Sequence, residues 1–339
     1  MKNKLRVGIL MGGISNEREV SLKSGEQVFN NLSRDHYIVR AIEISKNGVW
    51  ILDKKKTLRL FPHNDLKKYV DVVFIALHGA FGEDGKVQAI LDTLQIPYTG
   101  SGVLASALGM NKTKTSELVT QYKILTPKSF LIHKNNYSLS DLITTIEQKI
   151  SFPCVVKPNA SGSSVGVSIV RNKKELPRAL DKAFKEDTEI VIQQYIEGRE
   201  LTCAVIGNTN QTELTSLPPI EIVSPGTFFD YNAKYLSKKT QEICPAPIDS
   251  KISNELIRLS KKVHLALGCD ELTRSDFILS KKDNKLYFLE INTIPGITKT
   301  SLCPKAAKAA NISFSEFLDI QINLALNKYT LHYQTPSSL

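Results

Sequence analysis

The sequence predicts an α/β (α+β) protein that opens with a small parallel α/β unit and continues into mostly antiparallel units. Three observations carry this. Residues 5–10 and 72–77 are short apolar runs that end on Gly12-Gly13 and His78-Gly79. A helical pattern follows each of them, and strand, glycine turn and helix in alternation is how a parallel sheet with crossover helices is written. After Lys112 the pattern changes to strands grouped around a Ser/Gly-rich loop.

The first helix is expected at about residues 19–32. The second begins after Gly85, where Val87, Ile90, Leu91 and Leu94 recur at helical spacing and mark one apolar face. Pro97 and Gly100 then punctuate the chain. Cys154–Pro158 and residues 165–170 read as strands on either side of the Ser/Gly loop. A helix is expected at 174–185, with Pro177 tolerated in its first turn. Two more strands, 189–196 and 200–207, are joined at Glu197-Gly198-Arg199.

Residues 218–247 hold little periodicity, and a segment of that length inside a compact domain is usually functional. Its aromatics Phe228, Phe229, Tyr231 and Tyr235 point to an ordered lid. Ile252, Leu256, Leu259, Val263 and Leu267 mark a helix ended by Gly268. Residues 272–279 and 285–290 read as a hairpin. Ser313 with Glu316 forms a capping box for a last helix reaching about Leu326. The units are placed at 1–100, 101–196 and 197–339, which a chain of 339 residues can supply with cores of their own.

Composition narrows the function classes. With 42% hydrophobic and 23% charged residues the chain is globular. A net charge of +10 suits a polyanionic partner such as a nucleotide, and equally a lysine-rich soluble surface. No apolar stretch approaches the roughly 20 residues of a membrane helix, and the first apolar run is too short for a signal peptide. Cys154, Cys203, Cys244, Cys269 and Cys303 are irregularly spaced without a CxxC pair, which speaks against a disulfide framework or a zinc site. A cytoplasmic protein with reduced, buried thiols is expected. No clustered basic patch or strand aromatics indicate nucleic-acid binding.

Two constellations carry chemistry. Lys157-Pro158-Asn159-Ala160-Ser161-Gly162-Ser163-Ser164-Val165-Gly166 is a loop whose backbone N–H groups can face a phosphate, with Lys157 as a point charge. It lacks the GxxxxGK[ST] order, and read alone it is also a plain hairpin turn. Arg274 and Asp276 lie two apart on one strand, as do Glu290 and Asn292 on the next, so each pair shares a face and the hairpin brings the pairs together. Asp, Glu and Asn are the hard oxygen donors that Mg²⁺ uses when it bridges nucleotide phosphates. A solvated strand face is the simpler alternative.

These motifs occur in a familiar order. Gly12-Gly13-Ile14-Ser15-Asn16-Glu17-Arg18-Glu19-Val20-Ser21, Ala76-Leu77-His78-Gly79 with Gly82-Glu83-Asp84-Gly85, and Pro97-Tyr98-Thr99-Gly100-Ser101-Gly102 come first. The Lys157–Gly166 loop, Gly226-Thr227-Phe228 through Lys234-Tyr235, Arg274-Ser275-Asp276, Glu290-Ile291-Asn292-Thr293-Ile294-Pro295-Gly296 and Ser301-Leu302 complete the series. Over nearly its whole length the chain resembles the D-alanine–D-alanine ligases.

The resemblance implies a three-domain ATP-grasp architecture, with ATP held between the central and C-terminal domains. It implies an ADP-forming ligation of two D-alanines through an acyl-phosphate, supplying peptidoglycan precursors. Lys112, Lys157 and Ser164 then match the phosphate contacts, Gln193, Gln194 and Ile196 the adenine segment, and Glu200 the ribose carboxylate. Many relatives carry Glu at the position of Gln193, whose carbonyl can still accept from the adenine amino group. Asp276, Glu290 and Asn292 match the ligands of two Mg²⁺ (or Mn²⁺) ions. Arg274 and the Gly296 N–H match the oxyanion donors. Glu17 matches the anchor of the first ammonium, with His78 in the neighbouring motif. Ser301 and Leu302 match the second substrate's carboxylate site. Ser163 and Tyr235 match a hydrogen-bonded link from the phosphate loop through the lid to Glu17, and Lys234-Tyr235 favours dipeptide over ester. The resemblance also implies a homodimer.

Overall fold

The computed structural model describes residues 4–162, 165–223 and 240–333. Three sheets organise them. The first contains β1 (Leu5–Gly12), β2 (Tyr37–Ile44), β3 (Trp50–Leu52), β4 (Lys56–Thr57) and β5 (Val72–Ile75), in the order β4-β3-β2-β1-β5. β1 pairs parallel with both β2 and β5, as the strand–turn–helix alternation predicts. From Val7 to Gly12 it is fully buried, because it lies between two neighbours and under helices on both faces. Strands β2 to β4 were not expected from the sequence.

The second sheet runs β6-β9-β7-β8, all antiparallel: β6 (Ser129–His133), β7 (Cys154–Pro158), β8 (Ser168–Val170) and β9 (Glu189–Gln194). The strand expected at 165–170 starts only at Ser168. Gly166 lies before it at φ +79°, and a Cβ there would come within 2.7 Å of Pro158 Cγ, so the chain is still turning.

The third sheet is antiparallel, in the order β13-β12-β10-β14-β15 with β11 beside β10. Its strands are β10 (Gly198–Ile206), β11 (Thr215–Ser216), β12 (Ile220–Val223), β13 (Gln241–Ile243), β14 (Leu272–Ser280) and β15 (Leu286–Asn292). The segment 218–247 therefore contains two paired stems, with Glu221 opposite Ile243 and Val223 opposite Gln241. Phe228, Phe229, Tyr231, Lys234 and Tyr235 between those stems lie outside the described residues, as do Ser163 and Ser164.

The helices are α1 (Arg18–Asn31), α2 (Lys86–Thr93), α3 (Val103–Met110), α4 (Lys112–Gln121), α5 (Leu139–Lys149), α6 (Leu176–Ala183), α7 (Ser250–Ala266), α8 (Leu302–Ala309) and α9 (Phe314–Tyr333). Pro177 sits in the first turn of α6, where no N–H is lost. Asp249 caps α7 by accepting from Ile252 N–H at 2.9 Å. α7 buries Leu256, Leu259 and Val263 against the third sheet, each worth about 1.5–3 kcal/mol of transfer free energy. α9 continues past Leu326 because its last turns still have partners: Lys328 Nζ donates to Gly100 O at 2.7 Å and Tyr329 Oη to Gln95 O at 3.0 Å.

One core joins the first sheet, α1, α8 and α9 to the near ends of β10, β12 and β14. A second lies under the other face of the first sheet with α2. A third joins α4 and α7 to the third sheet, and a fourth joins α5 and α6 to the second. The cysteines are free thiols, four buried and Cys244 half-buried. Among the described residues no helix is long and apolar enough to cross a membrane.

Candidate active site

The hairpin of β14 and β15 builds one corner of the site. Arg274 stands opposite Asn292 and Asp276 opposite Glu290, so all four side chains project from one face. A bulge follows Asp276 and brings Phe277 opposite Phe288, whose rings close the core at 5.5 Å between centroids. The guanidinium of Arg274 forks onto Asp276, with Nε and Nη2 each at 2.9 Å. Thr202 Oγ1, from the adjacent β10, donates to Asp276 Oδ1 at 2.6 Å, and Asn292 Nδ2 donates to Oδ2 at 3.2 Å. Burial opposes the charge on Arg274, but Asp276 and then Glu290 outweigh it and hold the guanidinium above its ordinary pKa. A bidentate, charge-assisted pair of this kind fixes geometry as well as charge.

Two lysines form the opposite corner. Lys157 is buried near the end of β7. Burial pushes its pKa down to about 8, with Glu290 resisting and Lys112 adding to the fall. Lys112 opens α4, whose N-cap Asn111 accepts from Lys114 N–H at 3.0 Å. Its Nζ donates to Ser161 O in the Ser/Gly loop at 2.7 Å and stands 3.7 Å from Glu290 Oε2. Lys112 reaches Glu290 from the start of α4 and Lys157 faces it from β7, so the two corners face each other across it.

Glu17 occupies the N-cap position of α1. Its carboxylate is wedged between two glycines: a Cβ on Gly79 would collide with Oε2, and one on Gly162 would come within 2.8 Å of it. The first sheet's turn and the Ser/Gly loop therefore meet on this carboxylate. His78 is buried beside it, with Nε2 2.8 Å from Ser24 Oγ and Nδ1 3.8 Å from Glu83 Oε1. Glu83 also accepts from Gly79 N–H at 2.8 Å, which sets the turn.

Ser301 is the N-cap residue of α8 and Leu302 its first helical residue. The Ser301 Oγ lies 2.8 Å from Thr298 Oγ1 and accepts from Thr298 N–H at 3.2 Å. A Cβ on Gly296 would stand 3.0 Å from that same Oγ, so the Gly296 loop and the α8 N-terminus are in contact. First-turn N–H groups of a helix suit a carboxylate.

The nucleotide positions fall on matching faces. Gln193 pairs with Val155 and Val191 with Lys157, so Gln193 and Lys157 share a face of the second sheet. Glu200 is two residues from Thr202 on β10, which places it on the Asp276 face of the third. Gln194 ends β9 and its N–H donates to Lys128 O at 2.7 Å; Ile196 lies in the connection to β10. Ser163, Ser164, Lys234 and Tyr235 lie outside the described residues.

Sequence reading missed Thr202, Ser24, Thr298 and Asn159, which hold Asp276, His78, Ser301 and the start of α4 respectively. Thr202 alone left a trace, since it shares strand parity with Glu200.

Among the described residues no group of three or more His, Cys, Asp and Glu is placed to hold a metal. Asp276, Glu290 and Asn292 instead offer two carboxylates and one amide oxygen on one hairpin face. That hard oxygen set fits Mg²⁺, which keeps waters and phosphate oxygens in its remaining positions.

Known proteins agree with this layout. A sequence model described as D-ala D-ala ligase C-terminus matches residues 118–323, and one described as D-ala D-ala ligase N-terminus matches 6–64 and 53–101. A D-alanine--D-alanine ligase of Syntrophobacter fumaroxidans is 42% identical over 332 residues, covering 95% of this chain and 98% of that one. The crystal structure of the VanG D-Ala:D-Ser ligase from Enterococcus faecalis superposes with a TM-score of 0.82 at 32% identity, over 95% of this chain and 100% of that one. That of D-alanine--D-alanine ligase from Bacillus anthracis complexed with ATP gives 0.77 at 31% identity, over 97% and 99%. The three-sheet architecture is the ATP-grasp fold. Matched by both domain models and by full-length relatives, the chain belongs to the D-ala D-ala ligase family.

Proposed function

We propose that the enzyme joins two D-alanines to D-alanyl-D-alanine at the expense of ATP, through an acyl-phosphate, and supplies peptidoglycan precursor synthesis in the cytoplasm. The observation that carries this is the meeting of Lys112 and Lys157 with the Arg274–Asp276–Glu290–Asn292 face. A polyphosphate and a carboxylate under attack need such a juxtaposition of cations and hard oxygen donors.

In the first step a carboxylate oxygen of one D-alanine attacks the γ-phosphorus and ADP leaves. Lys112 and Lys157 neutralise the phosphates, and Ser164 is proposed as a further phosphate contact. Asp276, Glu290 and Asn292 would hold Mg²⁺ or Mn²⁺, two ions in all, whose charge favours phosphoryl transfer. Gln193, Gln194 and Ile196 seat the adenine and Glu200 the ribose. Glu17 holds the first ammonium, with His78 next to it. In the second step the amine of the other D-alanine attacks the acyl carbon, an oxyanion forms, and phosphate departs with the C–O bond electrons. Arg274 and the Gly296 N–H stabilise that oxyanion; one such donor is worth about 10²–10³ in rate. Ser301 and the Leu302 N–H orient the second carboxylate.

Ser163 and Tyr235 are proposed to link the phosphate loop, the lid and Glu17, so that water is excluded from the acyl-phosphate, and Lys234 is proposed as a substrate contact. The working units are 1–100, 101–196 and 197–339, with α3 and α4 of the second seated on β15 of the third. A homodimer is proposed as the assembly. Phosphate release with D-alanine, L-alanine, D-serine and D-lactate tests the reading. Release with D-alanine alone or far ahead of the others is expected; L-alanine as the preferred substrate would overturn it.

A further inference from the structure

Lys112 and Lys157 belong to different layers. Lys112 opens α4, which packs on β15 and contributes Val119 to the core of the third sheet. Lys157 lies on β7 of the second sheet. Something must hold the two ammonium groups in a fixed relation, and the residue that spans the gap is Asn159, which is almost fully buried.

Asn159 is bonded on both sides. Toward α4 its Oδ1 accepts from Thr113 N–H at 3.0 Å and from Thr113 Oγ1 at 2.9 Å, while its carbonyl accepts from Lys112 N–H at 3.1 Å. Toward β9 its Nδ2 donates to Glu189 Oε2 at 2.8 Å and its N–H to Glu189 O at 3.0 Å. The network fixes the amide orientation, because only the oxygen can face the two Thr113 donors and only the nitrogen the carboxylate. A buried amide bonded on both sides resists rotation, and its removal leaves the Thr113 donors without their acceptor.

We propose that Asn159 is a positioning residue for nucleotide binding: it locks the start of α4 onto the Ser/Gly loop so that Lys112 and Lys157 meet the phosphates as one unit. This rests on the reading of those lysines as phosphate contacts, and the test separates the two ideas.

Steady-state ADP formation is measured with ATP varied at saturating D-alanine, and the reverse, together with Tm. Asn159→Ala loses its three side-chain hydrogen bonds and is expected to raise KM for ATP about tenfold, with KM for D-alanine within about twofold. Asn159→Asp keeps the acceptor for Thr113 but sets a carboxylate against Glu189, and raises KM for ATP similarly. Asn159→Asp with Glu189→Gln restores the donor–acceptor order with reversed polarity and is expected to return KM for ATP to within about threefold of the parent.

If Asn159→Ala leaves KM for ATP unchanged while Lys112→Ala raises it, the positioning role is wrong and the phosphate reading stands. If Lys112→Ala and Lys157→Met also leave it unchanged, both fall. A double variant that regains Tm but not KM for ATP reduces Asn159 to a packing residue and overturns the proposal. Should Asn159→Ala fail to fold, the Asp variants with and without Glu189→Gln decide the matter.

Discussion

The two charged corners of the site are built on opposite electrostatic terms. At the hairpin corner Asp276 accepts from Arg274, Thr202 and Asn292, and every charge has a close partner of opposite sign or a donor. At the loop corner two lysines share one carboxylate, Glu290, and Lys157 is pushed down to about 8 by its burial. The first corner is complete within the protein; the second is short of negative charge. On the proposed reading a nucleotide's phosphates supply what the second corner lacks, while the first holds its arginine ready for the carboxylate and its oxygens for the metal ions. On that reading nucleotide binding is expected to depend most on the corner where the protein alone is least satisfied.

The largest expected effect tests the complete corner. Arg274→Ala removes an oxyanion donor and leaves Asp276 buried without its fork, so kcat falls by at least about 10²–10³. Breaking a buried pair from one side also destabilises the fold by about 3–5 kcal/mol, visible in chemical denaturation. The opposite holds at the other corner. Lys157→Met removes a buried charge whose desolvation outweighs its share of Glu290, so KM for ATP rises by at least about tenfold while thermal stability is kept or raised. Equal destabilisation by the two variants would erase the distinction between the corners.

The same contrast has a pH signature. Lys157 has a folded pKa of about 8, below its ordinary 10.5, so between those values the unfolded chain holds a proton that the folded chain has released. Its contribution therefore makes stability rise with pH across that window. Phosphate binding favours the protonated lysine and must take up a proton above about pH 8, so KM for ATP rises there. Lys157→Arg keeps its charge and flattens the rise. An unchanged profile in the Arg variant would place the titration elsewhere. The smallest effect is expected from Thr202→Val. It removes one buried donor to Asp276 and lowers stability by about 1–2 kcal/mol, with kcat reduced only a few-fold because the Arg274 fork persists.

How much of this was legible in the sequence also differs between the corners. The hairpin face followed from strand period alone, since Arg274 with Asp276 and Glu290 with Asn292 share parity and the turn between them is short. The approach of Lys112 to Lys157 had no local signal, because α4 and β7 are far apart in the chain and meet through tertiary contacts such as those at Ser161 and Asn159. Strand β2 escaped notice because only three of its eight residues are buried: Ile38 is exposed, and Arg40 and Glu43 interrupt the apolar pattern. β6 has a single fully buried residue, Ile132. The stems β12 and β13 have four and three residues and pair across a long intervening segment, beyond the reach of any periodicity. Residues 165–167 looked like strand by composition, but the left-handed Gly166 keeps them in the turn.

If both corners act on one carboxylate, its oxygen must pass to phosphate. D-alanine labelled with oxygen-18 in its carboxylate, incubated with magnesium and ATP, should yield dipeptide and inorganic phosphate carrying one labelled oxygen per turnover. Dipeptide formed with unlabelled phosphate would contradict the account.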